Sequence, residues 1–566
     1  MVKRWIKKDA PKELLVKKLS EEINVSAPIA TILIQRGIPD FDSAKNFFRP
    51  QLEDLHDPFL MKDMDKAVSR LLNAFENNEK IMVYGDYDVD GTTSVALCYS
   101  FINSFHTNSD FYIPDRYKEG YGISKEGIDY ASENGFKLIV ALDCGIKSVE
   151  LIDYASSLGI DFIICDHHRP GDTLPKAVAV LDPKREDCDY PYKELSGCGI
   201  GYKLIQAIAD QMDSLLVDVT EYLDLVVVSI ASDIVPINGE NRILAYHGIE
   251  RLQTNARPGL QALIHLAGIQ NKMTITGIVF GMAPRINAAG RISHAKSAVD
   301  LLLAETEEEA YHFAQKLNIK NDERRDVDSS ITQEALAMIE EGDHQQLKST
   351  VLFKNTWHKG VVGIVASRCI EKYYRPTIIL TESDNKATGS ARSVHGFDVY
   401  NAIESCRDLL DHFGGHKYAA GLTMPINKVE QFQQRFEEYV SQTITEDQLI
   451  PQIEIDTMLD LDMITPKFYN VIQQMEPFGP ENLAPVFCSK GIKLASSLRV
   501  IKEKHLKLFV RQENNDSSFE CIAFGLSHVK DEMESHSHFN MVYTVEMNEF
   551  RGNKTLQLNI KDIQFD

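Results

Sequence analysis

The sequence has no long apolar run. Its strongest one, around Leu223 to Ile230, falls far short of the roughly 20 residues that a membrane-crossing helix needs. The opening stretch, MVKRWIKKDAPKELL, is basic but has no apolar centre of the kind a secretory signal requires. A cytoplasmic location and no membrane partner are therefore expected. Cysteine is sparse and scattered: 9 residues without a CxxC pair, which indicates neither a disulfide framework nor a zinc knuckle. Cys144 and Cys165 flank candidate ligands and read as small buried apolar residues at strand ends. Positive charge is also short, with 60 Lys and Arg against 83 Asp and Glu, a net charge of −23. That balance argues mildly against a nucleic-acid partner. Binding, however, follows the local field rather than the sum, and a site built from aspartates adds negative charge that bound divalent cations offset. Internal repeats and low-complexity segments are absent as well.

What remains is a 566-residue chain, 43% hydrophobic and 25% charged, enough for about three to five globular domains. Residues 11–75 read as helical, with breaks near Pro39 and Pro58. From about residue 80 the texture alternates: KIMVYGD, SDFYIPD, KLIVALD, DFIICDHH and AVAVLDP are β-rich runs separated by helical stretches. This is the pattern of a parallel α/β sheet, in which ligands gather at the carboxyl ends of strands. Residues 240–345 look mostly helical, and Glu305 to Glu341 has few breakers and fits one connecting helix. STVLFKN and RPTIILTE then restore the α/β texture, followed by a Gly-rich patch near 413–421. After about 446, five short strands suit a small β-barrel, with an OB-fold as the leading choice. The expected domains are thus an N-terminal helical segment (1–75), a catalytic α/β domain (76–240), a helical region with its connecting helix (241–345), a second α/β domain (346–445) and the barrel (446–566).

The chemistry lies in four acidic elements. VYGDYDVDGTTS sets Asp86, Asp88 and Asp90 two residues apart, which in an extended segment puts three mutually repelling carboxylates on one side. Gly91 permits a turn, and Thr92, Thr93 and Ser94 are candidate caps for a following helix. An EF-hand is excluded because its twelfth loop position, counted from Asp86, is Leu97 rather than Glu. Asp143 closes KLIVALD, Asp166-His167-His168 follows DFIIC, and Asp233 ends the apolar run VVVSIAS. Carboxylates with imidazole and no thiolate set suit manganese or magnesium better than zinc. Two such ions close together clamp a phosphoryl displacement. The residues therefore point to a two-metal phosphoesterase.

These elements, in this order, resemble the DHH phosphoesterase superfamily. The likeness to its RecJ family is closer still: GDYDVDG, PDRYKEGYG (114–122), ASDIVP, APRINAAGRI (283–292), HKGVVGIVASR (358–368), GSARS (389–393) and FGGHKYAAGL (413–422) span nearly the whole chain. The resemblance implies Asp88, Asp90, Asp143, His167 and Asp233 as metal ligands, with Asp143 bridging two Mn²⁺ or Mg²⁺ ions. It implies Asp86, Asp166 and His168 as supporting or water-orienting groups. Ser390 and Arg392 would form a pocket for a 5′ phosphate, with Arg116 and Arg285 or Arg291 as helpers; His416 would contact phosphate or pack. The implied activity is 5′-to-3′ degradation of single-stranded DNA to mononucleotides, in DNA repair and recombination. The enzyme would act as a monomer beside a single-strand-binding protein and a RecQ-type helicase. Phe509, Phe524 and Phe550 with Lys504, Lys507, Arg511, Arg551 and Lys554 are candidate barrel contacts, two of the three Phe being assigned to the core. The rivals are a small-substrate DHH phosphodiesterase for nano-RNA or cyclic dinucleotides, and a catalytically silent DNA-binding protein. Two departures stand out, Cys198 in LSGCGIGYKL and Asp182 before Pro183, neither expected to touch a predicted ligand.

Overall fold

The computed structural model describes residues 3–212, 218–269, 272–292, 294–342, 347–513, 517–550 and 552–565. They form two compact units, a larger one of residues 5–283, 299–311 and 454–566, and a smaller one of 1–4, 284–298 and 312–453.

In the larger unit, five short runs make an all-parallel sheet. Ile81–Gly85 lies between Ser109–Tyr112 and Leu138–Leu142, with Asp161–Cys165 and then Ala179–Leu181 beyond. The runs Ile81–Gly85 and Leu138–Leu142 are buried throughout, as expected for strands covered on both faces. Met82, Tyr84, Ile139, Ala141, Phe162 and Ile164 are among the residues forming the core on one face. The helix Val89–Phe105 covers the sheet together with Gly197–Gln211 and Leu223–Ser232.

The C-terminal segment of the same unit is a closed barrel. Phe487–Leu494 pairs antiparallel with both His505–Gln512 and Phe539–Phe550, and Ser518–Ala523 runs parallel to Asn553–Gln564, as in an OB-fold. The stretch KGIKLASSLRVI, read as one strand, is two, with Arg499–Ile501 separate. The N-terminal helices Glu13–Glu22, Ala27–Gln35 and Phe41–Phe48 pack into the barrel's core, where Leu19, Ile29, Ile32 and Leu33 share one cluster with Leu459, Phe468 and Phe487.

The smaller unit holds a five-stranded mixed sheet in the order His412–His416, Ala419–Pro425, Lys386–Arg392, Thr377–Ser383 and Thr350–Phe353, of which the last two are parallel. The Gly-rich patch is therefore a hairpin. One 35-residue helix, Glu307–Glu341, carries the chain from the larger unit into the smaller. All nine cysteines are buried and unpaired. Among the described residues, no helix is long and apolar enough to cross a membrane.

Candidate metal centre and anion pocket

The buried strand Ile81–Gly85 delivers Asp86, and there the extended segment ends. Asp88 is the N-cap of Val89–Phe105, its carboxylate accepting from the Gly91 amide at 3.0 Å. Asp90 consequently sits in the first helical turn, so the three carboxylates do not line one side of a strand. Thr92, Thr93 and Ser94 are not caps either: their hydroxyls donate to main-chain carbonyls of the preceding turn. An aspartate at a strand-to-helix junction outcompetes them because its carboxylate satisfies a free amide.

Asp90 is turned by the helix Gly197–Gln211. The amides of Gly197 and Cys198 donate to its two oxygens at 2.7 and 2.8 Å, and the Ser229 hydroxyl adds a third bond at 2.7 Å. A helix N-terminus is a natural seat for a carboxylate. Cys198 thus touches a predicted ligand after all, through its main chain, which the identity of its side chain could not reveal. Gly197 is required by proximity: a Cβ there would lie 2.7 Å from that of Asp143.

Asp143 follows Leu138–Leu142 with φ 59° and is almost wholly buried. His167, after Asp161–Cys165, brings its Nε2 to 3.2 Å from Asp143 Oδ1, 3.6 Å from Asp233 Oδ2 and 3.8 Å from Asp90 Oδ2. Asp233 stands at the C-terminal end of Leu223–Ser232, a helix buried all round. That is an unfavourable place for a negative charge unless a cation faces it. Two donor groups have ligand atoms within 4.8 Å of one another: Asp143, His167 and His168, and Asp90, His167 and Asp233. Asp88 belongs to neither, and His168, predicted in a supporting role, belongs to the first.

The electrostatics match. Burial, together with Asp88, pushes the Asp86 carboxyl up to about 8. Burial, with Asp90 and Asp88, does the same to Asp233, also to about 8. Asp143 is held well above the carboxylate range by burial and by Asp90, Asp88 and Asp233. Asp143 Oδ1 and Asp86 Oδ2 are buried without a hydrogen-bond partner. Oxygens this crowded and this poorly satisfied fit a bound cation, and a carboxylate–imidazole set suits manganese or magnesium. Asp166 differs. Against the cost of burial, bonds from His168 and the Ile146 amide hold it at about 2. Its Oδ1 lies 2.7 Å from His168 Nδ1, and the His168 pKa is raised by that contact despite burial. The other ring nitrogen meets the Tyr121 hydroxyl at 3.1 Å. Tyr121 stands edge-on to Tyr87, over which the Arg116 guanidinium stacks at 4.9 Å. Sequence reasoning singled out only Arg116 from PDRYKEGYG, although Tyr121 lies in the same motif; Ser229 gave no signal.

The smaller unit carries the second set. Ser390 and Arg392 lie on the strand Lys386–Arg392. The small residues of GSARS hid a strand whose alternate positions are buried. Arg392 Nη1 donates to Ser390 Oγ at 2.7 Å and to the Ala391 carbonyl at 2.8 Å. Among the described residues no carboxylate pairs with it, and burial lowers its pKa. Gly363, in the first turn of Val362–Lys372, makes the room: a Cβ there would meet Arg392 Nη2 at 2.9 Å and Ser390 Oγ at 3.1 Å. Arg291 reaches the Gly360 carbonyl at the start of that helix, at 2.9 Å, whereas Arg285 bonds Asn318 at 2.9 Å. His416 is exposed on the hairpin, paired with Ala419, which in turn pairs with Arg392.

On the barrel, Phe509 and Phe524 are 41% and 58% exposed, so the assignment of two of three Phe to the core fails. Leu506, Leu508 and Val510 fill the inner face of that strand instead. Lys507 pairs with Glu520 and Lys554 with Glu549. Arg551 and the side chain of Phe550 lie outside the described residues.

Three family descriptions match the chain: "DHH family, N-terminal domain" over residues 80–230, "DHHA1 domain" over 345–442 and "RecJ OB domain" over 455–562. The single-stranded-DNA-specific exonuclease RecJ of Bacillus subtilis is 37% identical over 559 residues, covering 98% of this chain and 70% of that one. The Escherichia coli protein of the same name is 34% identical over 89% of this chain and 90% of its own. A crystal structure of RecJ from Thermus thermophilus in complex with Mn²⁺ superposes with a TM-score of 0.85 at 25% identity, over 100% of this chain and 80% of that one.

Proposed function

The chain belongs to the RecJ family, and from that premise we propose that it is a single-stranded-DNA-specific exonuclease that releases mononucleotides stepwise from the 5′ end. The observation that carries this reading is the cluster in which His167 Nε2 faces the buried carboxylates of Asp90 and Asp143 and the partly exposed one of Asp233. Asp90, Asp143, His167 and Asp233, with Asp88 beside them, would hold two divalent cations, manganese or magnesium, and Asp143 would be shared between the two. When bound, such ions polarise a phosphodiester and acidify a water for in-line attack.

The chain's own groups do the rest. Asp166 fixes the orientation of His168 and, against burial, raises its pKa, which favours the imidazole as the group that gives a proton to the departing oxygen. Asp86, with one oxygen on the Gly122 amide and the other unpaired, orients water. Ser390 and Arg392 take the terminal 5′ phosphate, since a buried arginine with no carboxylate is an anion site; Arg116, Arg285, Arg291 and His416 assist along the strand. The exposed Phe509 and Phe524 stack bases of the single strand. The activity serves DNA repair and recombination in the cytoplasm, performed by a monomer alongside a single-strand-binding protein and a RecQ-type helicase.

A single strand with a distinguishable label at each end tests the polarity. With manganese, the 5′ label leaves first, as a mononucleotide. Earlier loss of the 3′ label, or release of long fragments, overturns the reading.

A further inference from the structure

The helix Leu223–Ser232 ends in an unusual way. Asp233 is its last partly helical residue, and the next, Ile234, has φ 60°. This left-handed position just past a helix is ordinarily given to glycine or asparagine, because a Cβ there crowds the main chain. A β-branched side chain is the least suited of all. Ten non-glycine residues adopt positive φ among the described residues, and the other nine are Asn, Asp, Glu or Lys. Ile234 is the one apolar member, and Asp143, at the heart of the carboxylate cluster, is another of the ten.

Strain of this kind is ordinarily offset by packing, and here it is not. Val235 and Ile237 are 7% and 1% exposed and anchor the segment, the Ile237 amide donating to the Pro480 carbonyl at 2.8 Å. Ile234 is 64% exposed. The molecule therefore holds a branched aliphatic side chain in an unfavourable backbone state, in water, one residue beyond a carboxylate that lies 3.6 Å from His167 Nε2. Among the described residues the fold does not bury this side chain in return, and strained residues of this kind gather at functional sites.

We propose that Ile234 is a substrate-contacting residue that packs against the sugar carbons and base of the nucleotide whose phosphodiester lies at the carboxylate cluster. The inference rests on the nuclease reading. It assigns to this side chain a share of nucleotide affinity that no charged or hydrogen-bonding group supplies, one indifferent to base identity because every nucleotide presents the same sugar carbons.

Two variants suit the backbone as it stands. Ile234→Gly removes the side chain at a φ that glycine favours, and Ile234→Asn replaces it with a polar one that tolerates the same φ. Neither gives Asp233 cause to move. Steady-state hydrolysis of a short 5′-phosphorylated single strand with manganese, manganese affinity by calorimetry and the thermal midpoint are measured for both and for the wild type. Both variants are expected to raise KM roughly four- to fifteenfold, the loss of about one to two buried methylenes. Their kcat should stay within about twofold, and manganese affinity and thermal midpoint should be unchanged or higher. An unchanged KM overturns the proposal. So does a KM effect accompanied by falling kcat and manganese affinity, which would make Ile234 a support for Asp233. A wild type that fails to cut the strand instead sinks the nuclease reading, and this inference with it.

Discussion

Arg392→Ala is the perturbation that separates a terminal-phosphate pocket from a structural arginine. Arg392 is largely buried and bonds Ser390 Oγ and the Ala391 carbonyl, and among the described residues no carboxylate neutralises it. A guanidinium in this state contributes little to folding, because a buried charge without a counter-charge is costly. Its removal should leave the thermal midpoint unchanged or slightly raised. The loss falls on substrate. A charge-assisted contact to phosphate is worth about 1.5–3 kcal/mol, so kcat/KM for a 5′-phosphorylated strand should drop roughly ten- to 150-fold. A 5′-hydroxyl strand lacks the partner and should lose less than about threefold. Arg392→Lys keeps the charge without the planar fork and should recover part of the difference. Gly363→Ala should imitate Arg392→Ala, because its Cβ would meet Arg392 Nη2 at 2.9 Å. The assay is initial release of mononucleotide from paired strands that differ only in the terminal phosphate. Equal losses on the two strands would refute the pocket, and a fall of many degrees in melting would show Arg392 to be structural.

Three further outcomes are expected. Asp143→Ala should abolish cleavage and manganese-dependent stabilisation, and should raise the melting temperature of the metal-free protein at pH 8, since it removes a carboxyl that burial and its neighbours Asp90, Asp88 and Asp233 disfavour as an anion; hydrolysis near wild-type rate would rule out its bridging role. Asp182, fully buried with one oxygen unpaired, has its carboxyl pushed by burial up to about 7. The folded state therefore holds its proton more tightly than the unfolded chain, and stability is lost as pH rises from about 4 to 7. Asp182→Asn should remove that loss, melting increasingly above wild type from pH 5 to 8 and gaining about 3–5 kcal/mol at the upper end; a gap independent of pH would contradict the assignment. Phe509→Ala with Phe524→Ala should weaken binding of a long strand by about 1–3 kcal/mol per lost stack and leave dinucleotide cleavage unchanged; an unchanged long-strand affinity would remove the barrel face from the substrate path.

The barrel does not stand apart from the N-terminal helices. Leu19, Ile29, Ile32 and Leu33 of the N-terminal helices are buried against Leu459, Phe468 and Phe487. Cutting the chain near residue 445 would strip those helices of their partner. That packing joins segments more than 400 residues apart, and no local pattern announces it. The parallel sheet was legible because its strands are short, apolar and each followed by a carboxylate. The four acidic elements were legible as a group because each closes an apolar run. Their local geometry was not. The spacing argument for Asp86, Asp88 and Asp90 assumed an extended chain, and Asp88 ends it by capping a helix. The run before Asp233 is a helix buried on all sides, and without a polar face it has no period that distinguishes it from a strand. Two of the three barrel Phe were assigned to the core where register decides: in HLKLFVRQ, Leu506, Leu508 and Val510 face inward, which leaves Phe509 outside.

Metal-dependent hydrolysis of single-stranded DNA at the carboxylate cluster is read out in one comparison: a 5′-phosphorylated single strand, its duplex and a dinucleotide, each incubated with the full chain in manganese, in magnesium and in chelator, with products resolved to single-nucleotide length. A ladder of mononucleotide release is expected from the single strand with metal, with none from the duplex and none in chelator. Cleavage of the dinucleotide alone, or of the single strand in chelator, would show that the cluster is not a metal-dependent single-strand nuclease.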